Sequence, residues 1–149
     1  MKTHVLGALA ALTIGFAVPS IAQDKNTVDP EVRQQIEGMV TKMIEAHTKH
    51  DAAAMVALFT LDAIQVLDFE GGGTASGQEA IEKWWATDFA SIPAALAIKL
   101  VQVNAIGNEV SCISEWTYGG TVRGHGVYVF VRDADTWKIR LYYANTSPP

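Results

Sequence analysis

The sequence has little with which to staple or charge a fold. Cys112 is the one cysteine among 149 residues, so no internal disulfide can form. It sits in an alternating apolar run, where a buried, inert thiol is the expected state and a catalytic thiol is not. Charged residues make up only 18% of the chain and nowhere cluster by sign. That argues against nucleic acid and against anionic membrane surfaces as partners. There is no Walker loop, no dinucleotide-binding glycine pattern, no Gly-x-Ser-x-Gly elbow and no Cys-x-x-Cys. The glycines at 71–73 follow a single strand and precede a helix by several residues, which fits a hairpin turn better than a phosphate cradle. Internal repeats, linkers and low-complexity stretches are missing too.

What is present begins with export. Lys2 supplies a positive start, Val5 to Val18 is apolar, and Ser20-Ile21-Ala22 has the small–x–small form of a cleavage site. Residues 1–22 therefore read as a secretory signal peptide, and its apolar run is too short to span a bilayer comfortably. Cleavage leaves 127 of the 149 residues, with ten Lys and Arg against sixteen Asp and Glu, a net charge of −6. The mature chain is expected to be periplasmic or secreted, with no membrane contact after cleavage. A polar leader over 23–28 precedes one domain over 29–149, long enough for a core without disulfide support.

Asp29-Pro30-Glu31 starts a helix: an N-cap, a proline at the first helical position, and an acid facing the dipole. Ile36, Met39, Val40, Met43, Ile44 and His47 then recur at helical spacing to about Lys49. Asp51 caps a short alanine-rich second helix ending in Ala57-Leu58-Phe59. A strand-like run follows, Ile64-Gln65-Val66-Leu67-Asp68-Phe69. Ser76-Gly77-Gln78-Glu79 has the form of a capping box for a third helix, about Gln78 to Phe89, which stops before Pro93. Four more strand-like runs follow: Leu96 to Ile106, Val110 to Tyr118, Val122 to Val131 and Thr136 to Asn145. Their connections, Gly107-Asn108, Gly119-Gly120 and Asp133-Ala134-Asp135, are short enough for hairpins. Helices first and an antiparallel meander after them is an α+β order.

The stretch from His50 to Trp85, with its helix, strand, glycine turn and helix, resembles the centre of the SnoaL-like, nuclear transport factor 2-like superfamily. The resemblance covers roughly residues 30 to 146. It implies a cone: a strongly curved, mostly antiparallel sheet around three helices, with a ligand cavity between them. It also implies a homodimer through the sheet. The superfamily holds ketosteroid isomerases, dehydratases, cyclases and non-catalytic binding or association domains.

Aligned with the isomerases, the general base falls at Leu67, five residues beyond Asp62. Asp68 is six away and would point to the opposite face unless a bulge intervenes. Their tyrosine falls near Met43 and their oxyanion acid near Val127, so a steroid-type isomerase is disfavoured. His47, on the apolar face of the first helix, is expected at the cavity or in the core. His125 shares a strand face with Val127 and Val129 and is expected inside the cone as its chief polar group. The same alignment places Cys112, Ser114, Trp116 and Tyr118 inside. Trp85 and Phe89 share a helix face, with Trp84 pointing elsewhere. On the last strand, alternation buries Trp137, Ile139, Leu141 and Tyr143, whereas the alignment turns Arg140 and Tyr142 inward; both readings stay open.

Three functions follow from these residues. The first is an exported domain binding a small, largely apolar molecule through Met43, Trp85, Trp116, Arg140 and Tyr142. The second is a cofactor-independent lyase, isomerase or hydrolase using His47, Asp68 and His125 as acid and base. The third is a structural association domain. No metal or cofactor is expected, because His47, His50 and distant His125 leave a zinc site without a defined ligand set.

Overall fold

A computed structural model describes residues 28–91 and 95–148. The expected signal peptide over 1–22, most of the leader and Pro93 lie outside the described residues. Helix α1 spans Pro30–Thr48, and Asp29 accepts a hydrogen bond from the Glu31 N–H at 2.8 Å, as its capping role requires. Ile36, Met39, Val40, Met43, Ala46 and His47 form its buried face. The helix ends where His50 takes φ +52°. The His50 N–H reaches the His47 carbonyl and the Asp51 N–H reaches the Ala46 carbonyl, a paired C-terminal cap. Asp51 then turns its carboxylate to the Ala54 N–H at 2.8 Å and opens α2, Ala52–Val56. One acid thus joins the end of one helix to the start of the next.

Strand β1, Phe59–Asp68, begins earlier than the run of β-formers suggested. The glycine turn sends the chain back as a short strand, β2 (Gly73–Ser76), which the sequence did not announce. Helix α3, Gln78–Asp88, starts without the expected capping box: Gly77 is the N-cap and no side chain caps the helix. The helix start is tied down by β1 instead. The Gly77 N–H reaches the Ala63 carbonyl and the Gln78 amide reaches the Phe59 carbonyl, both at 2.8 Å. Strands β3 (Leu96–Ile106), β4 (Glu109–Tyr118), β5 (Val122–Asp133) and β6 (Thr136–Thr146) form the expected meander.

The sheet order is β2-β1-β6-β5-β4-β3, with β1 parallel to β6 and every other pair antiparallel. The chain is therefore an α+β cone, its curved mixed sheet covered on the concave side by three helices. A buried core runs from Ile36 and Met43 on α1 through Ile81 and Trp85 on α3 to Phe59, Phe130 and Ile139 on the sheet. Burying each such side chain contributes about 1.5–3 kcal/mol. At the open end of α1, the Gln35 side-chain oxygen accepts from both Arg132 and Trp137 at 2.9 Å. The Arg132 guanidinium lies over the Trp137 ring. No described helix is long and apolar enough to cross a membrane.

Candidate functional site

The concave face of the sheet can be read row by row, because residues directly opposite one another on neighbouring strands share a face. One row runs Cys112, Tyr128, Tyr142, Gln65, Ala75 across β4, β5, β6, β1 and β2. All five are buried. The next row runs Ser114, Gly126, Ala144, Leu67, and the third pairs Trp116 with Gly124. Small residues in these rows let rings lie on the backbone. The Trp116 indole rests against Gly124 and donates to the His125 carbonyl at 3.0 Å. The Tyr128 ring leans toward Gly126 and stacks on Tyr142, centroids 4.8 Å apart and 8° from parallel.

The helices close this face with more rings. Trp85, 2% exposed, lies against Phe89 at 5.2 Å and Trp84 at 4.9 Å. His47, fully buried, stacks on Tyr118 at 5.0 Å and meets Phe89 edge-on at 5.4 Å. The Trp85 indole N–H donates to the Gln65 side-chain oxygen at 2.9 Å. Since an indole can only donate, this bond fixes which end of the amide faces Trp85. The Gln65 amide nitrogen is left buried with no hydrogen-bond partner, and so is the Tyr128 hydroxyl. Each such group costs on the order of 1–3 kcal/mol while unsatisfied.

The phenols here stay neutral. Burial pushes the Tyr128 hydroxyl up to about 12, against weaker opposing help from Ser114 and Tyr142, whose hydroxyls lie near without reaching hydrogen-bond geometry. Burial also raises Tyr142 well above its usual range and raises Tyr118, with the Asp88 carboxylate adding to the latter. Asp88 itself is raised by burial. The Cys112 thiol, 1% exposed, is pushed up to about 12 by burial, the Arg33 charge opposing, so it is the inert thiol the sequence implied.

Five of the eight expected site residues come together inside the cone: His47, Met43, Trp85, Trp116 and Tyr142 are all buried. The other three do not. His125 was expected inside but is exposed on the convex face, opposite Glu115 and Asn145, with its Nδ1 3.3 Å from the Ser147 hydroxyl. The cause is register. A two-residue Gly119-Gly120 turn would set Ser114 opposite His125; Thr121 is a third turn residue, so Trp116 faces Gly124 and every side chain of β5 changes face. Asp68 is also exposed on the convex face, accepting from the Tyr143 hydroxyl at 3.2 Å, because no bulge intervenes between it and buried Leu67. Arg140 is the unpaired residue of a bulge between β5 and β6 and is exposed, bonded to Glu109 at 2.9 Å.

That bulge also resolves the two readings of β6. Trp137 and Ile139 face inward before it, Tyr142 and Ala144 after it. The trio His47, Asp68 and His125 therefore forms no acid–base cluster, since only His47 is inside. Among the described residues no group of His, Cys, Asp and Glu is arranged to hold a metal. Gln65 and Tyr128 were missed as site residues. Gln65 shares its face with Leu67, and Tyr128 shares its face with inward Gly126; correct strand parity was the signal for both.

A profile of the SnoaL-like domain matches residues 40–140. The chain belongs to the SnoaL-like domain family. No curated protein matches this SnoaL-like sequence. Among solved structures, a ketosteroid isomerase-like protein from Erwinia carotovora atroseptica is similar, with a TM-score of 0.68 at 17% identity, over 81% of this chain and 100% of that one. A nuclear transport factor 2-like protein of unknown function from Shewanella baltica gives 0.66 at 14% identity, over 83% and 100%. A cystatin-like domain of unknown function from Nostoc punctiforme gives 0.69 at 13% identity, over 82% and 81%. At such identities these structures share the fold with this SnoaL-like chain, and the likeness carries no activity with it.

Proposed function

We propose that this SnoaL-like domain is exported and binds a small, largely apolar molecule between the concave sheet face and α1 and α3. One observation carries the reading: a buried amide nitrogen on Gln65 and a buried hydroxyl on Tyr128, both without a partner, stand among Trp85, Trp116 and Tyr142. Aromatic walls with a few inward polar groups are the usual make-up of a small-molecule site. Two unsatisfied donors in so apolar a setting are a standing cost that a ligand acceptor would remove. Export is supported by the sequence of residues 1–22 alone. Native mass spectrometry of protein taken gently from the periplasm or medium of its source tests the reading. A discrete adduct that disappears on denaturation is expected. Identical native and denatured masses, with no adduct after incubation in an extract of the source cells, would refute it.

A second reading concerns the convex face, where the register lines up two apolar rows. Ile113, Val127, Tyr143 and Val66 form one, and Val129, Leu141 and Ile64 form the other. Ile64 and Ile113 are 41% and 40% exposed, a continuous apolar surface that a monomer rarely presents. We propose that a second copy of the chain covers it in a two-fold dimer. Val127→Lys, at the middle of the surface, is expected to yield monomers in light scattering. Wild-type protein that stays monomeric on concentration would refute the dimer and leave the interior site untouched.

A further inference from the structure

We propose that the cleft between edge strand β2 and helix α3 is a second binding site, and that it takes a neutral saccharide stacked on Trp84 and hydrogen-bonded to Asp88. The cleft has a volume of about 610 Å³, with Thr74, Ala75 and Ser76 on one side and Lys83, Trp84 and Asp88 on the other. It shares no residue with the interior site, so either can fail without the other.

Two side chains at this cleft are left over by the fold. The indole N–H groups of Trp85, Trp116 and Trp137 each reach a protein acceptor, whereas that of Trp84 donates to nothing among the described residues. The Trp84 ring is half-buried and is held by Trp85, edge-on at 4.9 Å, and by Phe69 at 6.5 Å. Asp88 lies four residues further along α3, one turn on and on the same helix face. It is half-buried too, and its carboxylate makes neither a hydrogen bond nor an ion pair among the described residues. Holding a charge there without donors is unfavourable, and burial raises its pKa accordingly. A ligand carrying several O–H donors removes that cost.

The rest of the lining narrows the class. Lys83 stands at the same cleft, so its charge and that of Asp88 cancel, and net charge draws in neither a cation nor an anion. Thr74 and Ser76 are exposed on a strand that forms the edge of the sheet. The Gly77 N–H reaches the Ala63 carbonyl, so by alternation Thr74 and Ser76 turn their backbone N–H and C=O groups away from β1. An edge of four residues offers too few such groups to hold an added peptide strand, but enough for a small polar molecule. Donors, acceptors and one aromatic face together match a pyranose: hydroxyls around its rim, and an apolar C–H face to lie on the electron-rich face of the indole. The volume admits a disaccharide.

The test titrates maltose, cellobiose and N,N′-diacetylchitobiose, with choline as a cationic probe, into isotope-labelled protein. The Trp84 indole N–H resonance, assigned by its absence from Trp84→Phe, reports on the cleft. At least one disaccharide should move that resonance saturably, with a Kd of about 1 mM or below. Trp84→Ala removes the stacking face and should weaken that binding by about tenfold or more. Asp88→Asn keeps the shape but turns charge-assisted hydrogen bonds into neutral ones, and should also weaken it about tenfold. Backbone resonances of Asp88→Asn away from the cleft should stay in place, showing that the fold is intact. If no disaccharide binds, or if either substitution leaves the binding unchanged, the proposal is overturned. Choline bound more tightly than every disaccharide would overturn it as well and make the cleft a cation site.

Discussion

Gly124→Ala tests whether the inner wall is built as described. A Cβ at this position would lie 1.8 Å from the Asn145 carbonyl oxygen and 2.4 Å from Cζ2 of Trp116. Neither neighbour can give way cheaply, because one is backbone of the adjacent strand and the other a buried indole. Overpacking of this kind costs about 1–3 kcal/mol. Displacing the indole also breaks its bond to the His125 carbonyl, adding about 1 kcal/mol. The gain from replacing glycine in a strand, about 0.5–1 kcal/mol, is smaller and of opposite sign. The net loss is about 1–3.5 kcal/mol, a large share of a typical 5–15 kcal/mol domain stability at its upper end. Urea unfolding followed by far-ultraviolet circular dichroism reads it directly. Gly38→Ala is the matched control: it lies on the exposed side of α1 with nothing within 4 Å of its Cβ, and should gain up to about 1 kcal/mol. A Gly124→Ala midpoint equal to or above wild type would refute the placement of Trp116 on the β5 backbone.

Asp51→Ala removes the carboxylate that caps α2 and should cost about 1 kcal/mol in the same urea assay; no loss would mean the cap contributes nothing. Stability should fall as the solution is made alkaline. The Cys112 thiol and the Tyr128 phenol keep their protons up to about 12 when folded but release them from 9.0 and 10.0 when unfolded, so their contribution is whole below those values and lost as pH rises toward 12. For Tyr128 the loss is about 1.4 kcal/mol per pH unit inside that window. Tyr128→Phe should flatten the pH dependence above 10, and an unchanged slope would contradict the burial of this phenol.

The architecture was legible because its signals are local. Asp29-Pro30 and Asp51 cap what they were expected to cap, and the four meander strands lie within two residues of their expected ends. The site was less legible because facing depends on register, and register depends on single residues. One added turn residue, Thr121, moved His125 outside and Tyr128 in. One unpaired residue, Arg140, reversed the facing of β6 halfway along it. The capping box failed for a related reason: Gly77 and Gln78 are claimed by the backbone of β1, a contact between segments that no local pattern encodes. His47, Trp85 and Trp116 lie inside because each belongs to an apolar face whose period survives small shifts.

The central claim is that the Gln65 amide protons are held ready for a ligand acceptor. The most direct measurement follows the side-chain amide resonances of isotope-labelled protein as an extract of the source cells is added, with the Gln65 pair assigned by its absence from Gln65→Leu. The account predicts a saturable downfield movement of the Gln65 pair. A Gln65 pair that stays in place while native mass spectrometry shows a molecule bound would contradict it.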